Sequence, residues 1–136
     1  MTFEQSDSQL GGGLYFKLED HGDSETVMFV GEPMPKATQF KGKKRTVFVF
    51  PIVTLDGLQV WTAGAKVYKH IRDNWGDFNG SAVKVTRNGK TGDKNTTYSF
   101  TKAKISKGLE KTYEPITLEN IVEIVDSAVS YESQEE

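Results

Sequence analysis

From Ser81 to Ile105, polar and apolar positions alternate with a period of two on either side of a Gly-rich centre. Val83 and Val85 alternate with Ala82, Lys84 and Thr86; beyond the centre, Tyr98, Phe100, Lys102 and Lys104 share one parity and Ser99, Thr101, Ala103 and Ile105 the other. Alternation rich in Val, Thr, Tyr and Phe predicts two strands, and Arg87-Asn88-Gly89 through Gly92-Asp93 is turn chemistry. The stretch reads as a long β-hairpin with a cationic tip, Arg87, Lys90 and Lys94 near the loop and Lys84, Lys102 and Lys104 along the arms.

The same patterning runs upstream. Leu14, Phe16 and Leu18 alternate with polar neighbours as a short strand or edge segment, Asp20-His21-Gly22-Asp23 is a turn, and Glu25 to Val30 forms another strand. Gly31 to Pro35 breaks it, because neither proline can donate to a ladder. Phe40 to Arg45 reads as a mobile cationic loop. Thr46 to Thr54 (TVFVFPIVT) has the highest β-propensity in the chain, with Pro51 implying an edge or a bulge. Asp56-Gly57 turns the chain into Leu58–Thr62, the strand that carries Trp61.

From Ala63 to Trp75 the period changes to that of a helix: Val67, Ile71 and Trp75 recur every four residues, and Gly76 ends the run. Lys107 to Pro115 reads as a linker. Thr117 can cap a last helix with Leu118, Ile121, Val122 and Val125 in one stripe. The expected organisation is a flexible N-terminus (1–13), one folded domain (14–128) and an acidic tail (129–136). Strands, a helix, two strands and a helix fit a mainly β, five-stranded OB-fold barrel with one helix between strands 3 and 4 and a C-terminal helix. Other small α+β domains share that order.

Charge sharpens the picture. The 136 residues carry a formal net charge of -2, but residues 1–33 sum to -6, residues 34–111 to +11 and residues 112–136 to -7. A basic middle between acidic ends points to a polyanionic partner, although the ends could equally neutralise the body by folding over it. The absence of cysteine excludes disulfides, iron–sulfur clusters and the usual zinc ribbons. Met1 to Gly13 has no apolar signal-peptide core and no run approaches a membrane span, so a soluble, cytoplasmic protein is expected, with no membrane partner.

Catalytic frames are missing. Gly89-Lys90-Thr91 mimics the end of a phosphate loop, but Lys84 stands where its first glycine belongs and the segment lies in a hairpin. His21 and His70 lack the spacing of a metal site, and no G-x-S-x-G nucleophile frame occurs. A non-enzyme without metal or cofactor is expected. Bases interleaved with rings on strands suit an unpaired nucleic-acid strand, since cations meet phosphates and rings stack on bases. The candidate contacts are Phe40, Lys43, Lys44, Arg45, Trp61, Lys66, Lys84, Arg87, Lys90, Tyr98, Lys102 and Lys104. Arg45 and Arg87 are the sharper candidates because Arg stacks as well as pairs. For any single strand aromatic, core packing is the competing role: Phe100 and Trp75 are assigned to the core, Tyr98 and Phe40 to stacking.

Leu58–Trp75 (LQVWTAGAKVYKHIRDNW) and Gly80–Phe100 (GSAVKVTRNGKTGDKNTTYSF) resemble the OB-fold single-stranded-DNA-binding proteins of tailed bacteriophages. The likeness is close over Trp61–Phe100 and general over Leu14–Lys104. It implies largely sequence-independent coating of single-stranded DNA during phage replication, recombination and repair, in the host cytoplasm if phage-encoded. It also implies recruitment of replication or recombination proteins through the acidic C-terminus. The chain lacks the cysteines of the zinc insertion found in some of these proteins, and it ends in Glu136 rather than an aromatic residue. Two alternatives stay open: an RNA-binding OB module, and a protein-interaction adaptor using the last helix and tail. An exposed edge strand would allow oligomers.

Overall fold

The computed structural model of the chain describes residues 15–40, 42–89 and 96–130, the side chain of Phe40 excepted. The β-branched and aromatic run Lys43–Thr54 forms a twelve-residue strand, β3. Around it stand β1 (Ser24–Phe29), β2 (Met34–Phe40), β4 (Gly57–Ala63), β5 (Ala82–Asn88) and β6 (Thr97–Ala103). All pairings are antiparallel, and the protein is mainly β, a six-stranded sheet with a few helices.

Length lets β3 serve three partners. Lys43–Val49 pairs with β2 and Ile52–Val53 with β1 along one edge, while Phe48–Thr54 pairs with β4 along the other. Pro51 falls at the changeover from β2 to β1. Its carbonyl accepts from Val30 N at 3.2 Å, so the N–H that proline lacks belongs where neither strand needs a donor. The expected edge or bulge at Pro51 is thus a change of partner within a central strand.

The sheet curls. Trp61 on β4 meets Tyr98 on β6 edge-on at 5.2 Å and Phe100 at 6.2 Å, although β4 and β6 are far apart in strand order. No ladder joins them among the described residues, so the sheet is open. The extended segment Tyr15–Leu18 lies between: Phe16 N donates to Val60 O at 2.8 Å, and Leu18 O accepts from Arg87 Nη1 at 3.0 Å. Inside the curl, Val27, Phe29, Phe50, Ile52, Val83 and Val85 form the main core. Each such side chain contributes roughly 1.5–3 kcal/mol on burial.

Helix α1 (Ala65–Asp73) covers this core with Ile71, and the short α2 (Trp75–Phe78) adds Phe78. Outside the curl, α3 (Lys107–Tyr113) seats Leu109 on Met28, Val53 and Ala82. Helix α4 (Leu118–Ser130) seats Val125 and Ala128 on Val49 and Val60. Two details fix α4. Thr117 and Asn120 cap its start reciprocally, with Asn120 N donating to Thr117 Oγ1 at 3.1 Å and Thr117 N to Asn120 Oδ1 at 3.0 Å. At its far end Lys36 Nζ donates to Ala128 O at 2.8 Å, placing a cation where the helix dipole is negative.

Several expectations are corrected. Six strands replace five, and α1 follows the fourth strand rather than the third, because the cationic stretch Phe40–Arg45 is the tip of a β2–β3 hairpin and not a loop. Of the short strand or edge segment expected over Leu14–Glu19, the described residues form one bridge, Tyr15 to Val60. The Lys107–Pro115 linker is mostly helix, capped by Ser106 Oγ accepting from Leu109 N at 3.1 Å. Within the Leu118, Ile121, Val122 and Val125 stripe of the last helix, Val125 is buried whereas Leu118 and Val122 are exposed.

Trp61 spans the mouth of the curl, so Trp61→Ala is expected to cost about 3–5 kcal/mol in urea denaturation. Glu25 gives a pH signature. Burial and then the nearby Asp56 charge raise its pKa above the ordinary 4.5. Ionising it therefore opposes folding: the penalty is absent below 4.5, grows as pH rises through the raised pKa and is complete above it. Glu25→Gln should raise the melting midpoint at neutral pH, with the gain vanishing at acid pH.

Candidate nucleic-acid interface

On β3 the residues Lys44, Thr46, Phe48 and Phe50 alternate onto one face, with roughly 7 Å between successive members. The inner end of this row is the core; the outer end is open. Phe48, half-buried, lies flat against Tyr68 of α1, with ring centroids 4.0 Å apart and planes 12° from parallel. One helical turn on, the Arg72 guanidinium carbon stands 5.7 Å from the centre of the Tyr68 ring. Trp75, also half-buried, follows at the start of α2 and packs edge-on against Phe29 at 6.3 Å.

These side chains line a groove of about 430 Å3. Phe48 and Phe50 of β3, Ile71, Tyr68 and Arg72 of α1 and Trp75 line it, with Pro35 of β2 opposite Phe48 in the ladder and Glu32 and Pro33 from the β1–β2 connection. Upstream on β3 the exposed Lys43, Lys44 and Arg45 face Phe40, Gln39 and Thr38 across the hairpin. A Cβ at Gly64 would stand 3.7 Å from Arg45 Nη2, so the hairpin tip reaches the entry of α1, two residues before the exposed Lys66. Arg45 and Lys66 thus stand near the entry of α1, while along β3 Lys44 shares the face of Phe48 and Lys43 and Arg45 take the other.

Among the described residues, the remaining candidates lie elsewhere. Arg87 turns inward: Nε donates to Gly89 O at 2.7 Å, Nη1 to Leu18 O at 3.0 Å and to Tyr98 Oη at 3.4 Å, and Nη2 to Thr96 Oγ1 at 3.2 Å. It ties the N-terminal segment to the β5–β6 hairpin, a structural role in place of the expected ligand contact. Trp61 is 4 % exposed and cannot stack on a base. Tyr98, expected as a stacking platform, is half-buried with its ring against Trp61 and its hydroxyl on Arg87. Phe100 packs on the core as expected, stacked on the exposed His70 at 4.8 Å.

The hairpin lysines separate by face. Lys102 opposes the inward-facing Val83 and lies 4.0 Å from Asp77 on α2. Lys84 points to the outer face and shares a cleft of about 320 Å3 with Lys104, Ser24, Thr26 and Ser106 beside α3. Lys90 and the Phe40 side chain lie outside the described residues.

Sequence reasoning missed Phe48, Tyr68, Arg72 and Trp75 as one site. The available signal was the i, i+4 pair Tyr68/Arg72 on a helix that already carries Val67 and Ile71, and the shared parity of Phe48 with Lys44. Comparison of the chain with protein-family models, curated proteins and solved structures finds no match.

The two kinds of arginine separate by experiment. Arg87→Ala leaves part-buried acceptors without their donor and should cost about 1.5–3 kcal/mol of stability in chemical denaturation. Arg45→Ala at the exposed hairpin tip should stay within about 0.5 kcal/mol of the native value.

Proposed function

We propose that the protein binds single-stranded DNA with little sequence preference and without catalysis, protecting unpaired strands during replication, recombination and repair. The observation that carries this reading is the stacked Phe48–Tyr68 pair beside Arg72, set in an open groove on the helix whose entry Arg45 of the β2–β3 hairpin approaches. Aromatic platforms that accept any base, next to cations that accept any phosphate, are what sequence-tolerant single-strand binding requires. Glu32, from the β1–β2 connection, sets a polarity. It repels phosphates, so the backbone runs along the α1 side and toward the hairpin tip, while bases enter between Trp75, Tyr68 and the two prolines. The curled sheet is read as an OB-type barrel that stays open between β4 and β6, the gap taken by Tyr15–Leu18.

Anisotropy titration with oligo(dT) at several salt concentrations tests this. Affinity should fall with a log–log salt slope near -0.7 per phosphate contact, and neutralising Lys43, Lys44 or Arg45 should each make the slope shallower by about that amount. Tyr68→Ala should lose about 1–3 kcal/mol of binding. Trp75 lines the groove whereas Trp61 is buried, so fluorescence quenching by DNA should disappear in Trp75→Phe and persist in Trp61→Phe. Unchanged fluorescence together with unchanged anisotropy would overturn the reading. Oligo(U) binding as tightly as oligo(dT) would move it to RNA.

A further inference from the structure

A second groove, of about 250 Å3, runs between the β1–β2 connection and the first turns of α4. Val30, Met34, Pro51, Leu118, Ile121 and Val122 line it. Three of these are large apolar side chains left in water: Met34 is 45 % exposed, Leu118 75 % and Val122 49 %. Gly31 keeps the groove narrow at its base, since a Cβ there would stand 3.1 Å from Pro51 Cγ and 3.6 Å from Ile121 Cγ2. An adjoining set of exposed large apolar residues with a shaped floor marks an interaction surface rather than scattered surface hydrophobicity.

Charge says what fits. Glu32 lines one side and Asp126 the other, and Glu119 and Glu123 form the next row along α4, each one position on from Leu118 and Val122. Helix α4 contains no base, and the nearby Lys36 is bonded to Ala128 O at the helix's far end. The two terminal segments outside the described residues are poor occupants: 1–14 carries Glu4 and Asp7, 131–136 carries Glu132, Glu135 and Glu136, and neither has a Lys or Arg. A symmetric pairing of two α4 helices would set these carboxylates against one another. We infer that this groove docks a basic amphipathic segment of another protein, its apolar side chains seated over Met34, Leu118 and Val122 and its Lys or Arg groups against the acidic rows. Helix-in-groove recognition has this form, with anchors at i and i+3 or i+4.

The probe is a fluorescent synthetic peptide with a leucine face and a lysine face, titrated into the full chain. Binding is expected to weaken about tenfold or more in Leu118→Ser/Val122→Ser, which removes no charge, and likewise in Glu119→Gln/Glu123→Gln, which removes no apolar surface. Both variants lie at exposed positions and should keep the native melting curve and native oligo(dT) affinity. Chemical-shift changes should centre on Met34, Leu118 and Val122. The inference is overturned if both variants bind the peptide as the native chain does, or if a leucine–glutamate peptide binds as well. It is also overturned if sedimentation shows the native chain self-associating through these residues, or if oligo(dT) displaces the peptide.

Discussion

One strand must satisfy hydrogen bonds on both edges while helices and core cover both its faces. That strand is β3, and the rest of the molecule answers its demands. Its inward side chains Phe48, Phe50 and Ile52 pack into the curl, and its outward Val49 and Val53 need lids, which α4 and α3 supply. Unpaired peptide groups at that depth would each cost on the order of a kilocalorie or more, so β1, β2 and β4 are recruited around one run of twelve residues. The single residue that cannot donate, Pro51, sits at the one point on the shared edge where no donor is called for.

The same arrangement explains where the rings go. A sheet curled tightly enough to bring Trp61 onto Tyr98 and Phe100 has little interior to spare, so the strand aromatics near its mouth become packing. Rings accessible to a ligand are then those at the seam between the sheet and α1, where the helix has a side to spare: Phe48, Tyr68 and Trp75. Arg87 illustrates the principle from the polar side. Among four neighbouring acceptors, a guanidinium organises the open edge of the sheet, and its value as a phosphate contact is spent.

Local rules made much of this legible. Period-two runs located β1, β3, β4, β5 and β6 but not β2, the Thr117 cap was readable from its position before an apolar stripe, and the core role of Phe100 followed from the need of Val83 and Val85 for partners. Failures came where tertiary context decides. Parity gave Lys84 and Lys102 opposite faces in sequence, yet grouping them by charge put them on one surface; pairing of Val83 with Lys102 and of Lys84 with Thr101 separates them. A dense set of bases at 41–45 suggested a loop, whereas pairing of Thr38, Gln39 and Phe40 with Arg45, Lys44 and Lys43 builds a hairpin that projects its cations in register. The Lys107–Pro115 helix has one apolar anchor, Leu109, too little periodicity to read.

The segregation of charge along the chain acquires a spatial meaning. Helix α4 carries the last run of acids on the outside of β3 and β4, while the bases of residues 43–45 and 66 project where β3 begins and α1 starts. Two surfaces of opposite sign are thereby held on one rigid sheet, each beside its own apolar groove. A stacked pair such as Phe48 and Tyr68, already seated at 4.0 Å, loses no rotamer freedom when a third ring joins it. The hydrogen bonding that fixes β3 is therefore also what holds Phe48 against Tyr68, so on the proposed reading folding and recognition draw on the same strand.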